Sequence, residues 1–390
     1  MAYGIRFGYG ILLPVMIKDL EMSVGEAGLI YSGYFLAYAF IAPVAGSLTD
    51  RMGGRYVIAL FCGVLGIGTL TMGSIYQWQT GFASAVIMGA GASATWTPVV
   101  TVVSRWFGAK WRGKALGILV TGYGWGFGVM GLLLPLLAVG YGWRFCWQFL
   151  AAMALSSALV NGLLLRSNPE DLKVKPWGGV AKDSEDERPK AGVYRSIFRG
   201  SVFWLMGLSY FAISFATYTV MLYLVSYANL ELGIEYAVAA MLASIVAFSG
   251  IPGGLAIPAL SDYLGRKAGI TLCNTVVMLT LFGFVGFGSN LHVLMATAAI
   301  FGVFYSAIWP IYAAYVADYF PKEVTGTVIG LWTINYGVGA MLSSAVAGYL
   351  HDLTQTFSWP FILASLMAGL SIIFMLTSSK LKYRSHGAVF

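Results

Sequence analysis

Charged residues are scarce in this chain. Aspartate, glutamate, lysine and arginine make up 10% of the 390 residues, whereas hydrophobic residues make up 58%. Because soluble domains carry about 25% charged residues, this composition excludes an ordinary water-soluble fold. The apolar sequence divides into about twelve runs of roughly 20 residues, the length that crosses a hydrocarbon core. The sequence therefore predicts an all-α membrane protein with twelve transmembrane helices.

Cysteine and histidine are also sparse, with three of each. Cys62, Cys146 and Cys273 lie singly in apolar runs without C-x-x-C spacing, and the histidines are too dispersed for a metal site. The chain also lacks a nucleophile and base pair and a phosphate-binding loop. We therefore expect no metal, no cofactor and no enzymatic activity.

Acidic residues are missing from the middle of the predicted spans, and Arg6 is the one strongly charged side chain placed there. About ten residues separate Arg6 from the outer end of its span, which is roughly 15 Å of helix and a position near the bilayer middle. An arginine can bind a carboxylate through two parallel hydrogen bonds, and Tyr9 adds a hydroxyl nearby. The pattern favours an anionic substrate over a cationic one.

The first span is short, with about 16 residues before Lys18, or roughly 24 Å. We therefore expect its helix to begin before Met1. The alternative is that Met1 is the true start, so that the helix is displaced and Arg6 extends toward the cytoplasmic headgroups.

A ten-residue box, Gly46–Arg55, recurs in weaker form as Pro258–Lys267, which places Asp262 212 positions after Asp50. Phe107 is matched by Phe320 at offset 213. Repeats of half a chain are typical of transporters, so we expect two pseudo-symmetric six-helix bundles. The predicted spans lie near 1–17, 25–47, 56–75, 79–104, 114–139, 145–165, 201–227, 235–259, 268–288, 291–317, 325–350 and 358–378. The predicted domains are bundles at 1–165 and 200–378, a flexible cytoplasmic linker at 166–199 and a cytoplasmic tail at 379–390.

The net charge of +7 reflects topology. If both ends of the chain lie on one side, that side collects most of the lysine and arginine, including the cluster at 105–114, whereas the other side keeps Lys18 and Arg144. Because Lys and Arg concentrate on the cytoplasmic side of membrane proteins, we expect a multi-pass protein of the cytoplasmic (inner) membrane with both termini in the cytoplasm. The basic charge does not call for a nucleic-acid partner.

The box places the Asp50 carboxylate at the cytoplasmic end of span two, with Arg51 beside it and Arg55 at the start of span three. Such a group can pair across a bundle interface and must unpair when that side opens, so a gate latch is the expected role. The plainer alternative is a topological anchor and loop cap. The predicted gating residues are Asp50, Arg51, Arg55, Arg112, Asp262 and Arg266.

Polar and aromatic side chains at mid-depth are the other candidates for substrate contacts, although each could instead serve packing or anchor at a headgroup. The predicted substrate-binding residues are Arg6, Tyr9, Tyr34, Trp96, Tyr123, Tyr218, Tyr305, Trp309, Trp332 and Asn335.

The chain resembles the major facilitator superfamily, whose loop between spans two and three carries G-x-x-x-D-R-x-G-R-R. It matches that motif at Gly46, Asp50, Arg51, Gly53 and Arg55, and departs from it at Gly54. The second copy keeps Asp262, Gly265, Arg266 and Lys267 but has Pro258 and Tyr263 where the motif has glycine and arginine. The resemblance covers essentially the whole chain and implies the major facilitator fold.

A narrower resemblance lies at 105–117, which is similar to the span four to five segment of the oxalate/formate antiporter and monocarboxylate porter branch. That branch moves small carboxylates, often through an arginine in span eight and a lysine there or in span eleven. Here 240–258 holds no basic residue and span eleven offers Asn335. Several organic-anion branches instead place an arginine in the first span, where this chain has Arg6.

Together these features predict a monomeric secondary active transporter of a small organic anion, a mono- or dicarboxylate, working by alternating access as an antiporter or symporter. One alternative is a carrier of a neutral solute or an exporter of hydrophobic compounds. An alternative of another class is a non-transporting membrane receptor with a carrier fold.

Overall fold

A computed structural model describes residues 1–179, 193–288 and 290–379. Within these ranges the chain is helical, and its one β-type pairing is an isolated bridge between Phe107 and Trp177. The predicted all-α class is therefore confirmed. The helices are α1 (Ala2–Leu20), α2 (Val24–Met52), α3 (Gly54–Met72), α4 (Trp78–Ala92), α5 (Thr97–Trp106), α6 (Ala109–Tyr141), α7 (Trp143–Leu164), α8 (Val193–Arg199), α9 (Ser201–Ser226), α10 (Tyr236–Leu264), α11 (Arg266–Phe287), α12 (Leu291–Tyr319), α13 (Lys322–Thr354) and α14 (Ser358–Ser379).

Ten segments of the described ranges are long and apolar enough to cross a membrane. They include the paired segments α4 with α5, and α9 with the π-helical turn Tyr227–Glu231 that follows it. Helix α1 is not among them, since it carries Arg6, Lys18 and Asp19 within 19 residues. The protein is a multi-pass membrane protein.

The two parts of the chain pack their helices in the same way. In the first part α1 contacts α6, α2 contacts α4, and α3 contacts both α4 and α7. In the second part α9 contacts α13, α10 contacts α12, and α11 contacts both α12 and α14. We call these parts, α1–α7 and α9–α14, the first and second halves. The halves meet through α2 with α13, α6 with α10, and α1 with α9.

The halves are joined tightly at one end, which we call the Asp352 end. There the backbone N–H groups of Val24 and Gly25, at the start of α2, donate to the two carboxylate oxygens of Asp352 at 3.0 Å and 2.9 Å. The Ser244 hydroxyl donates to the Gly128 carbonyl at 2.8 Å, and a Cβ on Gly10 would lie 2.6 Å from the Met221 carbonyl oxygen. These contacts leave little space between the halves at this end.

The opposite end, which we call the box end, carries Asp50 and Asp262. In the described part of the chain, a Cβ added at Gly326 or Gly330 would meet no atom within 4 Å, and both glycines border an open cavity. The molecule is therefore closed at the Asp352 end and open toward the box end.

The polar connector predicted to be flexible is partly folded. Trp177 donates its backbone N–H to the Trp106 carbonyl at 2.9 Å and accepts from the Gly108 N–H at 2.9 Å, while the Trp106 indole donates to the Arg166 carbonyl. Residues 166–179 thus lie against the ends of α5 and α6. Residues 180–192 of the predicted linker and 380–390 of the predicted tail lie outside the described residues.

Candidate transport site

A cavity of about 660 Å³ lies between the halves on the box-end side. The first half contributes α1, α2, α6 and the segment between α4 and α5, and the second half contributes α9, α10, α12 and α13. Both halves therefore contact whatever occupies it. A space between two halves changes shape if those halves move relative to each other, which is what alternating access requires.

Arg6 lies in the wall of this cavity and is 8% exposed. Its guanidinium carbon is 4.8 Å from the centre of the Phe35 ring and 5.2 Å from that of Tyr38. Four more rings, those of Tyr3, Phe7, Tyr34 and Tyr218, lie 5.5–5.9 Å away. Aromatic faces attract a cation, so this cage stabilises the buried charge without neutralising it.

No carboxylate of the described residues pairs with Arg6, and its Nε atom is buried without a hydrogen-bond partner. Arg6 is also the one charged residue among the described residues that line the cavity. A buried donor without an acceptor is costly, and a bound ion is one way in which such a group is satisfied. The site therefore presents one uncompensated positive charge.

The cage is built by three helices, of which α9 contributes Tyr218. Tyr3 and Phe7 lie within one turn of Arg6 on α1, and Tyr34, Phe35 and Tyr38 form one stripe on α2 because residues four apart share a helix face. The Tyr31 hydroxyl donates to the Arg6 backbone carbonyl at 3.0 Å, which fixes α1 against α2 at this depth.

The predicted fourth span is interrupted at the cavity. Helix α4 ends at Ala92 and α5 begins at Thr97, followed by Pro98 in its first turn. Trp96, in the break, lies 4.8 Å from the ring of Trp309 in the second half, with the two rings edge to face. Irregular backbone at membrane depth is tolerated where it lines a cavity, and this break brings the two halves into aromatic contact.

Six of the predicted substrate-binding residues line the cavity: Arg6, Trp96, Tyr123, Tyr218, Tyr305 and Trp309. Four do not border it. Tyr9 donates to the Ala27 carbonyl at 2.9 Å, and Trp332 donates to the Phe203 carbonyl at 3.2 Å. Tyr34 belongs to the cage behind the lining, and Asn335 packs against Gly207 of α9.

Sequence reasoning did not place Phe7, Phe35 and Phe127 at the site, because phenylalanine is ordinary in any span. Phe35 makes the shortest of the ring contacts to Arg6. In the sequence Phe35 stands out only because it follows Tyr34 and lies about one turn before Tyr38. This position indicates a site residue only when the packing of α2 against α1 is known.

The predicted gating residues differ between the two boxes. Arg266 pairs with Asp262 and with Asp318, the latter at 3.0 Å, and also donates to the Ser261 hydroxyl at 2.7 Å. By contrast, Asp50 is exposed and has no ion pair among the described residues.

Two of the other predicted gating arginines, Arg55 of the first box and Arg112, make local contacts. Arg55 donates to the Gly162 carbonyl at 2.8 Å and Arg112 to the Ser104 carbonyl at 3.2 Å, while Arg51 is exposed. These contacts lie within one half, as expected when the box end is open.

Comparison with known proteins is decisive at the level of family. The model of the Major Facilitator Superfamily matches residues 1–287 and again 206–388. The chain belongs to the Major Facilitator Superfamily. The resemblance seen in the sequence is thereby confirmed, and the expectation that the protein is a transporter-family member rather than an enzyme is confirmed with it.

Several relatives are similar over nearly the full chain. A probable sulfoacetate transporter of Cupriavidus necator is 20% identical over 96% of this chain and 89% of its own. The hexuronate transporter of Bacillus subtilis is 23% identical, covering 94% and 90%. Monocarboxylate transporter 13 of Rattus norvegicus is 24% identical, covering 96% and 86%.

Solved structures share the fold. The nucleoside transporter NupG superposes with a TM-score of 0.76 at 14% identity, covering 97% of both chains. A bacterial homologue of the human lysosomal transporter Spinster, in an inward-facing and occupied conformation, superposes with a TM-score of 0.74 at 15% identity, covering 97% of this chain and 95% of that one.

Proposed function

We propose that this protein is a secondary active transporter that moves a small organic anion, a carboxylate in particular, across the cytoplasmic membrane by alternating access. In this proposal twelve spans form two six-helix bundles at 1–165 and 200–378, both termini lie in the cytoplasm, and a monomer is sufficient. With that orientation the box end faces the cytoplasm, and the described conformation is open to the inside.

The observation that carries the proposal is Arg6. It is buried in the wall of a cavity between the halves, it has no acidic partner among the described residues, and its Nε atom lacks an acceptor. A carboxylate supplies the missing negative charge and can accept hydrogen bonds from the guanidinium. The names of the relatives, for sulfoacetate, hexuronate and monocarboxylates, support an anionic cargo.

The boxes supply the proposed gate. Because Asp50 has no ion pair in the described part of the chain while Arg266 already holds Asp262 and Asp318, closure of the box end would have to form new contacts at the first box. Asp50, Arg51, Arg55 and Arg112 are the residues available for that step.

The aromatic wall favours a second candidate, a carrier of neutral or hydrophobic compounds. Trp96, Tyr123 and Trp309 would contact such a molecule without using the charge of Arg6. The two candidates differ in whether removing the negative charge of a ligand abolishes its binding.

Thermal unfolding of the purified protein with carboxylates and their matched amides tests this difference, because a ligand of the folded state raises its apparent stability. We expect acids to raise the Tm and amides not to. Arg6→Gln should remove the response and abolish uptake into proteoliposomes, whereas Arg199→Gln, an exposed control, should leave both intact. Equal shifts with amides, or full binding by Arg6→Gln, would reject the anion proposal.

A further inference from the structure

We propose that the cavity selects organic anions that carry a single negative charge on a ring-bearing or otherwise apolar body, over dianions and polyhydroxylated acids. This inference rests on the proposed function and narrows its substrate class.

The first argument is the count of charges. Arg6 is the one charged residue among the described residues that line the cavity, so one carboxylate or sulfonate is enough to neutralise its charge. A second negative group on the same substrate would have no cation to meet. When the halves close around it, that group would lose its hydration without compensation, and a buried unpaired charge is strongly unfavourable.

The second argument is the state of the hydroxyl donors. A carboxylate accepts hydrogen bonds, so an uncompensated second carboxylate would need several donors in the wall. Of the six serine and threonine hydroxyls that line the cavity, all but those of Thr97 and Thr327 already donate to a carbonyl three or four residues earlier in the chain, at 2.6–3.1 Å. These four donating hydroxyls belong to Thr95, Thr121, Ser306 and Thr333.

Three of the six tyrosines that line the cavity lie where the first carboxylate would bind. The rings of Tyr3, Tyr38 and Tyr218 surround the guanidinium itself. Tyr305 and Tyr336 offer hydroxyls elsewhere in the wall, but these are neutral and cannot balance a charge. The donors therefore favour one anionic head group.

The third argument is the surface left for the body of the substrate. Beyond the cage, the wall presents Trp96, Phe127 and Trp309, together with aliphatic and glycine positions of α10. Aromatic faces gain most from flat apolar groups, whereas the several hydroxyls of a sugar acid would lose water against a wall that is mostly apolar. The wall thus fits a ring or hydrocarbon chain.

Matched ligands separate charge from shape. Binding to the purified full-length protein is followed at pH 7.5 by tryptophan fluorescence, to which Trp96 and Trp309 contribute, and by thermal shift. Adipate and its monomethyl ester have nearly the same length, but adipate carries two negative charges and the ester carries one. 3-Phenylpropionate and glucuronate each carry one negative charge, the first on an apolar body and the second on a hydroxylated body. 3-Phenylpropionamide is the neutral control.

We expect monomethyl adipate to bind at least about tenfold more tightly than adipate, and 3-phenylpropionate at least about tenfold more tightly than glucuronate, each factor of ten being about 1.4 kcal/mol. Adipate or glucuronate binding as tightly as its partner would overturn this inference and leave the anion proposal standing. The amide binding as tightly as 3-phenylpropionate, or none of the acids binding, would instead overturn the proposed function.

Discussion

Replacing Asp352 with asparagine should weaken the closed arrangement of the Asp352 end. The carboxylate accepts two backbone N–H groups at the start of α2 from the far half of the chain, at 3.0 Å and 2.9 Å. Hydrogen bonds to a charged group contribute about 1.5–3 kcal/mol each, and the start of a helix favours a negative charge. Asparagine keeps one acceptor oxygen but turns an N–H₂ group toward the second donor.

We therefore expect Asp352→Asn to make the free energy of closing the Asp352 end less favourable by about 2 kcal/mol. This change lowers the ratio of closed to open protein at this end by roughly thirtyfold. Spin labels on Ser74→Cys and Glu235→Cys, exposed positions on the two halves at this end, report the separation in a background without the three native cysteines. Pulsed dipolar spectroscopy should show a new, longer distance population in the variant.

Glu26→Gln is the matched control. It also removes a negative charge from the first turn of α2, but Glu26 caps its own helix through the Ser23 N–H at 2.9 Å. The control should keep the short distance. If Asp352→Asn keeps the wild-type distance distribution as well, the carboxylate does not hold the halves together and the reasoning is wrong.

Two further substitutions test the same interface with the same labels. In Gly28→Ala the new Cβ would collide with the Ser344 carbonyl oxygen, a backbone atom that cannot move aside cheaply, so the Asp352 end should stay open and uptake should fall. In the control Gly63→Ala no atom lies within 4 Å of the added Cβ, so both the closed Asp352 end and the uptake should be unchanged. Tyr236→Phe removes a 3.1 Å bond to the Ile11 carbonyl between the halves. Because a neutral bond contributes about 1 kcal/mol, the closed-to-open ratio should fall roughly fivefold, and an unchanged ratio would argue against a closing role for this bond.

The helices were largely predictable because apolar runs of membrane length define them without tertiary information. The interruption at Trp96 was not predicted, although Pro98 marks it, since hydropathy continues across the break. Arg6 is buried, and its depth in the bilayer stays a prediction. The sequence could not show which way Tyr9 and Trp332 point. Only the packing of α1 on α2 and of α13 on α9 turns these side chains away from the cavity.

The unpaired Arg6 guanidinium also affects how readily the empty protein can change from one open side to the other. Closing the box end over an empty cavity would strip water from Arg6 and leave its charge to the surrounding rings alone. A bound anion removes that barrier by neutralising the charge before occlusion. We therefore expect one-for-one exchange of anions across the bilayer to be faster than net transport. We also expect chloride in the buffer to compete with the substrate for the Arg6 guanidinium.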